Sequence, residues 1–270
     1  MNGRELRNAL HSGKRVFGTL IVSESPRWPS AISGSGLDFV FIDTEHTSLT
    51  NEQVAWMCQA YGNMNLAPIV RIPSPDPNRA ANTIDIGAAG VIAPYVETVE
   101  QAKSLRGAIR LRPLKGRRFD AILDGDAELE PELASYLAKR NDEHVLIVNI
   151  ESVPAVESLD SILSVPGIDG VLIGPHDLSC SLGIPEQYDH PQFITSVQTI
   201  FRKAREHDVG AGIHFTGEVE EQIKWLNAGA TMLIHSGDIT LFAKHLRKDL
   251  QAIKSAVGIK DASENTEVQI

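Results

Sequence analysis

The sequence predicts a single closed (β/α)8 barrel of the TIM-barrel class, with its active site at the C-terminal ends of the strands. Three observations carry that prediction. The 270 residues suit one such barrel, which needs about 250. Eight short runs rich in valine and isoleucine recur along the chain, apolar on both faces as strands of a buried parallel sheet must be. Amphipathic stretches lie between most of them, and eight such alternations imply closure into a barrel. The rival, an open doubly wound sheet, expects a GxGxxG turn after the first strand, and none stands there.

The elements follow in order. A helix is expected ahead of the first run, Val16–Val22. The second run, Phe39–Asp43, leads into a helical stretch at Leu49–Tyr61 with Val54, Met57 and Cys58 on one side. Thr50 before Asn51-Glu52-Gln53 marks its start, as Thr98 before Val99-Glu100-Gln101 marks a later one, because a threonine with glutamine three residues on can close a capping box. Ala67–Ile72 and Gly90–Tyr95 are the third and fourth strands. Leu111–Asp142 is the least regular part, with Pro113, Gly116, Arg117, Arg118 and an acidic run at Asp124–Glu132. It reads as an elaborated loop with a short helix. Val145–Ile150, Gly170–Gly174, Gly210–Phe215 and Met232–His235 complete the strands. Phe193–His207 is a helix with Val197, Ile200, Phe201 and Ala204 on its inner side. Gly87, Gly167 and Gly229 sit where a helix hands over to the next strand. The barrel with its terminal helices is expected over residues 1–257, and residues 258–270 form a polar tail, expected to be loose.

Composition narrows the function. Apolar residues make up 42%, enough for a sizeable core, and the net charge is −10. An acidic surface repels phosphate backbones, so no nucleic-acid partner is expected. A small anionic substrate would need a local positive centre from a metal or an arginine. Cys58 and Cys180 form no CxxC, which disfavours thiolate zinc sites and disulfide frameworks and fits a reducing compartment. No run approaches signal-peptide or membrane-span length, so the expected location is cytoplasmic, with no membrane partner.

In a barrel of this class the reactive groups come from the C-terminal ends of strands. Strand two ends in Asp43-Thr44-Glu45-His46, strand three in Arg71, strand five in Asn149-Ile150-Glu151 and strand six in Gly174-Pro175-His176-Asp177. Strand seven ends in His214-Phe215, and strand eight runs into Ser236-Gly237-Asp238. Glu151 and Asp177 follow adjacent strands and can converge on one cation, with water or substrate oxygens in the other positions, as Mg2+ or Mn2+ is usually held. Solvated loop carboxylates are the alternative. Arg71 closes an apolar strand, so it either stabilises a substrate oxyanion or pairs with a rim carboxylate such as Asp43. His46, beside Asp43 and Glu45, is either a general acid/base or a hydrogen-bonded loop histidine. His176, His214 and His235 are weaker single candidates. No lysine ends a strand, which disfavours a Schiff-base mechanism, and there is no GxSxG elbow and no HExxH.

Taken together, FVFIDTEHTSL, APIVRIPSPDP, GAAGVIAPYVETVEQA, KGRR, VNIESVPAVESLDSIL and VPGIDGVLIGPHDLSCSLG resemble the class II pyruvate-dependent aldolases of the HpcH/HpaI family. That family includes 4-hydroxy-2-oxoheptanedioate aldolase and the 2-keto-3-deoxy sugar-acid aldolases. The likeness runs from about Phe17 to Leu250. It implies that Glu151 and Asp177 are the protein ligands of a divalent metal cation (Mg2+, Mn2+ or Co2+). It implies that Arg71 binds the keto oxygen of pyruvate and that the backbone around Gly174–Asp177, with Pro175 and His176, holds the carboxylate. His46 matches an acid/base histidine whose partner aspartate comes from a neighbouring subunit, and Asp85 falls at that position. Asp43 and Glu45 match residues that orient His46 and Arg71. A homohexamer, a trimer of dimers, is implied. Five positions depart from the family pattern: Thr47 and Ser48 after DTEH, Asn149 where glutamine is common, His176 where a small residue is usual, and His214 where an aliphatic residue often lines the aldehyde side; Leu111–Asp142, which the family uses near the substrate entrance, diverges as well.

The resemblance implies reversible aldol cleavage of a 4-hydroxy-2-oxo acid to pyruvate and an aldehyde through a metal-stabilised enolate. An oxaloacetate-type decarboxylase would use the same enolate. A lyase of CoA thioesters would need an extended basic surface that the sequence does not show. A non-catalytic barrel scaffold is the alternative outside catalysis. His214, as a polar group on the aldehyde side, is expected to favour acceptors carrying a hydroxyl or a carboxylate.

Overall fold

All eight expected strands form, within one residue or two of their sequence bounds. They are β1 (Val16–Ile21), β2 (Phe39–Asp43), β3 (Ala67–Arg71), β4 (Gly90–Ala93), β5 (Val145–Asn149), β6 (Gly170–Ile173), β7 (Gly210–Phe215) and β8 (Met232–Gly237). In the computed structural model, which describes residues 1–259, they pair in parallel in sequence order and β8 closes back on β1. Helix α1 (Gly3–His11) precedes β1. After it come α2 (Trp28–Ile32), α3 (Asn51–Gly62), α4 (Pro77–Asp85), α5 (Val99–Arg110), α6 (Gly116–Asp124), α7 (Pro131–Arg140), α8 (Val153–Glu157), α9 (Leu159–Leu163), α10 (Pro175–Ser181), α11 (Pro191–Glu206), α12 (Val219–Ala228) and α13 (Asp238–Ala256). The expected capping boxes at Thr50 and Thr98 both form. Gly87, Gly167 and Gly229 take φ of 110°, 98° and 122°, values that a side chain rarely tolerates. Among the described residues no helix is long and apolar enough to cross a membrane. Residues 260–270, most of the expected tail, lie outside the described residues.

The stretch between β4 and β5 differs from expectation: it holds two helices, α6 and α7, where one was expected. Phe119 and Leu123 of α6 lie against Gly107 of α5, where a Cβ would meet them at 2.9 and 2.8 Å. Phe119, Ala121, Ile122 and Leu123 give α6 an apolar side, but its nine residues are bounded by Gly116 and Gly125, a run short enough to read as loop.

The strand period of two explains where the site lies. Alternate residues point into the barrel, and there Phe39, Phe41, Ala67, Ile69, Val145, Ile147, Met232 and Ile234 form one apolar cluster with Leu6, Ala9 and Leu10 of α1. Helix α1 plugs the N-terminal end of the barrel: a Cβ on Gly210 would lie 2.6 Å from the Leu10 side chain. The next inward positions, one step further along β2, β3, β5 and β7, are Asp43, Arg71, Asn149 and His214. The apolar column is thus capped by a polar layer at the C-terminal mouth. A second, larger cluster packs between the strands and the outer helices.

At the opposite end Asp169, fully buried, fastens α1 to the barrel. It accepts hydrogen bonds from Arg7 Nε (3.0 Å), His11 Nε2 (2.9 Å), the Leu146 amide (2.8 Å) and Arg110. Arg110 also reaches the carbonyls of Gly167 and His144. Burial alone would raise the Asp169 carboxyl, but His11, Arg110 and Arg7 outweigh it and hold it below the usual carboxylate range. Removing one partner of such a cluster leaves a buried charge uncompensated. Asp169→Ala is therefore expected to lower stability by about 3–5 kcal/mol in urea denaturation. Because the folded carboxyl lies below its unfolded value, this contribution is in place above about pH 4 and fades as pH falls through the folded value. The wild type should lose stability in acid faster than Asp169→Ala does, and parallel acid profiles would contradict the assignment.

Candidate active site

Arg71 and Asp43 are cross-strand neighbours at the ends of β3 and β2. The guanidinium forks onto the carboxylate, with Nε to Oδ1 at 2.8 Å and Nη2 to Oδ2 at 2.7 Å. Glu45 Oε2 lies 3.1 Å from the same Nε. The planar fork matches a carboxylate, which is why arginine suits this position. From below, the Phe41 ring faces the guanidinium at 5.3 Å, a cation–π contact. Burial would raise Asp43, but the hydrogen bonds and charge of Arg71 hold it below the usual range. Asp43 accepts from the amides of Glu45 (3.0 Å) and His46 (3.4 Å) as well, which shapes the loop after β2. No hydrogen bond among the described residues uses Arg71 Nη1, and the side chain keeps 12% of its surface exposed.

Glu151 and Asp177 do converge. A Cβ placed on Gly174 would meet Glu151 Oε2 at 2.6 Å and Asp177 Oδ2 at 3.2 Å. Both carboxylates therefore lie over one glycine, and no larger residue fits beneath them. Glu151 is held by the Tyr95 amide to Oε1 (2.7 Å) and by Asn149 Nδ2 to Oε2 (2.8 Å). Burial pushes its carboxyl up to about 7, and the negative charge of Asp177 adds to the rise, while Tyr95, Asn149 and Arg71 pull the other way without cancelling it. Two carboxylates over one small space, one of them resisting ionisation, fit a cation. Among the described residues no cluster of three or more His, Cys, Asp or Glu forms a full metal cage. Two protein carboxylates with water and substrate completing the shell are the usual arrangement for Mg2+.

The other expected residues divide. His46 is half exposed at the rim, with Nε2 3.7 Å from Glu45 Oε2. His176 is exposed, within 4.0 Å of Asp177 and 3.9 Å of Glu186. Gly174 and Pro175 open α10 beneath the carboxylate pair. His214 faces inward, with Nε2 3.0 Å from the Ser236 carbonyl oxygen and its ring edge-on to Phe41 at 5.6 Å. His235 bonds Gln222 of α12 and faces away from the mouth. Asp85 is not brought to His46 within the chain. It ends α4, which returns from the mouth to the opposite end of the barrel, and it pairs there with Arg112.

Two contributors escaped the sequence reading. Tyr95 stands at φ +33°, which turns its amide onto Glu151, and its hydroxyl donates to the Pro73 carbonyl at 3.0 Å. Its place after the fourth strand was the available signal, but an amide has no sequence signature. Phe41 reads as core, and its contact with Arg71 depends on the barrel closing.

Comparison with known proteins places this site in context. The HpcH/HpaI aldolase/citrate lyase family matches residues 17–244. A 2-keto-3-deoxy-L-rhamnonate aldolase of Klebsiella pneumoniae is 32% identical over 92% of each chain. Among solved structures, an HpcH/HpaI aldolase from Desulfitobacterium hafniense is 30% identical, with a TM-score of 0.79 over 92% of this chain and 96% of its own. The citrate synthase SbnG is 30% identical, with a TM-score of 0.79 over 94% of this chain and 98% of its own.

A cation bound between Glu151 and Asp177 requires Glu151 ionised. With the free carboxyl near 7, Mn2+ affinity measured by calorimetry should fall about tenfold per pH unit below that value, one proton being displaced. Affinity independent of pH between about 5.5 and 8 would show that the cation does not use Glu151.

Proposed function

Because the chain belongs to the HpcH/HpaI aldolase/citrate lyase family and is an enzyme of the lyase class, we propose that it reversibly cleaves a 4-hydroxy-2-oxo acid to pyruvate and an aldehyde with the help of a divalent cation. The observation that carries the proposal is the pair of carboxylates converging over Gly174 within electrostatic reach of Arg71. The 2-keto-3-deoxy-L-rhamnonate aldolases among the relatives favour 2-keto-3-deoxy sugar acids as the substrate class.

Breaking the C3–C4 bond sends its electron pair to C3 and on to the keto oxygen, while the 4-hydroxyl gives up its proton. Glu151 and Asp177 would hold Mg2+, Mn2+ or Co2+, which when bound acts as a Lewis acid toward the keto oxygen and carboxylate of the substrate. Arg71 supplies the protein's own positive charge for that oxygen through its Nη1. Its orientation is set in advance by Asp43, Glu45 and Phe41, so little reorganisation is needed as the charge develops. The first-turn backbone of α10 at Gly174–Asp177, with Pro175 and His176, would take the carboxylate. Asn149 fixes Glu151. His46 Nε2 would exchange the proton with the 4-hydroxyl, backed by Glu45 and by Asp85 of a neighbouring subunit.

That last role needs an oligomer, since Asp85 lies at the far end of its own barrel. Helix α13 supports this: Phe242, Leu246, Leu250, Ile253 and Val257 are all well exposed at helical spacing, an apolar stripe that a single chain leaves in water. A homohexamer is the assembly this reading takes. Both cysteines are free, which agrees with a cytoplasmic setting.

The test follows deuterium exchange into the methyl group of pyruvate, the half-reaction common to all acceptors. Exchange should vanish after exhaustive chelation and return with Mg2+, and Arg71→Lys, which loses the fork onto Asp43, should slow it by about 10²-fold or more. Borohydride with pyruvate should leave the protein mass unchanged. Full exchange without a divalent ion, or a pyruvyl adduct on a lysine, would overturn the proposal.

A further inference from the structure

A cavity of about 410 Å3 opens at the N-terminal end of the barrel, the end away from the candidate site. Its walls are α1, the last turns of α11 and α12, and the residues that lead into β7 and β8. Those two strands are six residues long, so about 20 Å of strand separates the cavity from the mouth. Leu10, Phe201 and Leu226 give it an apolar side. Most of its polar groups are already engaged. His11 turns its two ring nitrogens to Asp169 and to the Asp208 carbonyl, Ser12 donates to the Ala9 carbonyl at 3.1 Å, and Thr231 bonds both the amide and the carbonyl of Ala211. Three charged groups are left over. Arg15 uses only Nη2, on the Leu226 carbonyl at 3.2 Å. Among the described residues neither the Arg205 guanidinium nor the Asp208 carboxylate has a hydrogen bond or an ion pair. Arg205 is nonetheless placed: its Nη2 lies 2.8 Å from where a Cβ on Gly229 would stand, over the turn that ends α12. The Leu226 carbonyl that holds Arg15 belongs to the same turn and accepts from the Gly229 amide at 3.4 Å. In a chain of net charge −10, two guanidinium groups meet at one turn with no carboxylate among the described residues paired to either.

We propose that this cavity is a second ligand site, taking a small organic anion whose phosphate or carboxylate group bonds Arg205 and Arg15 and whose hydroxyl donates to Asp208. The fork of a guanidinium matches the oxygens of either anionic group. A carboxylate such as Asp208 only accepts, so it selects a ligand that also carries a donor. The apolar side suits a carbon skeleton, and the volume lies in the range of small-molecule sites. The proposal does not depend on the lyase reading, since the cavity and the mouth are at opposite ends of the strands. The competing role is structural: the carbonyl end of a helix attracts cations. That role accounts for Arg15 on the Leu226 carbonyl, but not for Arg205, which bonds no carbonyl among the described residues.

The experiment is calorimetry on the Mg2+-loaded protein with three probes: glycerol 3-phosphate and glycerate, which share hydroxyls and differ in the anionic group, and propanoate, which has no hydroxyl. The wild type should show a binding step of one equivalent per chain, and the tighter of the first two probes identifies the anionic group the cavity takes. Arg205→Gln and Arg15→Gln should each weaken that step by about tenfold or more. Asp208→Ala should erase the preference for glycerate over propanoate. Pyruvate methyl exchange in Arg205→Gln should match the wild type, because the mouth is remote. Binding undiminished in both arginine variants overturns the proposal, since the anions then sit at the mouth or elsewhere. No binding step with either glycerol 3-phosphate or glycerate overturns it as well. A lower melting temperature in Arg205→Gln with unchanged affinity would assign the arginine to the end of α12 and also overturn it. A preference for glycerate that survives in Asp208→Ala overturns the part given to Asp208.

Discussion

Four carboxylates and one guanidinium meet at the mouth of the barrel, and the shortage of positive charge there governs the rest of the site. Asp43 and Glu45 already occupy Arg71, so its charge is largely committed before Glu151 and Asp177 are counted. Glu151 is buried, and its carboxyl stays near 7 even with two hydrogen-bond donors and Arg71 in reach. In a low-dielectric site like charges this close resist joint ionisation. A divalent cation between the two, as proposed, would remove the conflict, and a substrate bringing a carboxylate and a developing oxyanion would increase the demand for it.

The barrel makes this concentration of charge possible without filling its interior with polar groups. Alternate residues of each strand point inward, and all but the last are apolar or glycine. Phe41 marks the boundary: it belongs to the apolar cluster and carries both Arg71 and His214 on its ring. At the other end α1 closes the barrel and Asp169 locks it in place through Arg7, His11 and Arg110. One end is therefore a satisfied charge cluster that stabilises the fold, and the other is a cluster of carboxylates short of positive charge. The division matches the general separation of stability and chemistry between the two faces of such barrels.

Much of this was legible in the sequence, because the rules that place it are local. Strand period and capping signals gave the eight strands and the starts of α3 and α5, and the strand-end rule named Asp43, Glu45, Arg71, Asn149, Glu151, Asp177 and His214. Groups without a side-chain signature stayed hidden. The amide of Tyr95 serves Glu151 only because the chain turns at that residue, and Phe41 looks like any core phenylalanine until closure sets it beneath Arg71. Helix α6 was obscured because its nine residues, bounded by Gly116 and Gly125, are too short a run to stand out from a loop. Asp85 is matched to His46 only through the family resemblance and as a residue of a neighbouring subunit; within its own chain α4 carries it to the far end of the barrel, where it pairs with Arg112.

The most direct test of the charge account is a crystal of the protein grown with Mn2+ and examined by anomalous scattering. The account predicts one strong peak above Gly174, bridging the carboxylates of Glu151 and Asp177, with Arg71 still forked onto Asp43. A peak elsewhere at the mouth, or none at saturating Mn2+ near pH 8, where Glu151 is ionised, would contradict it.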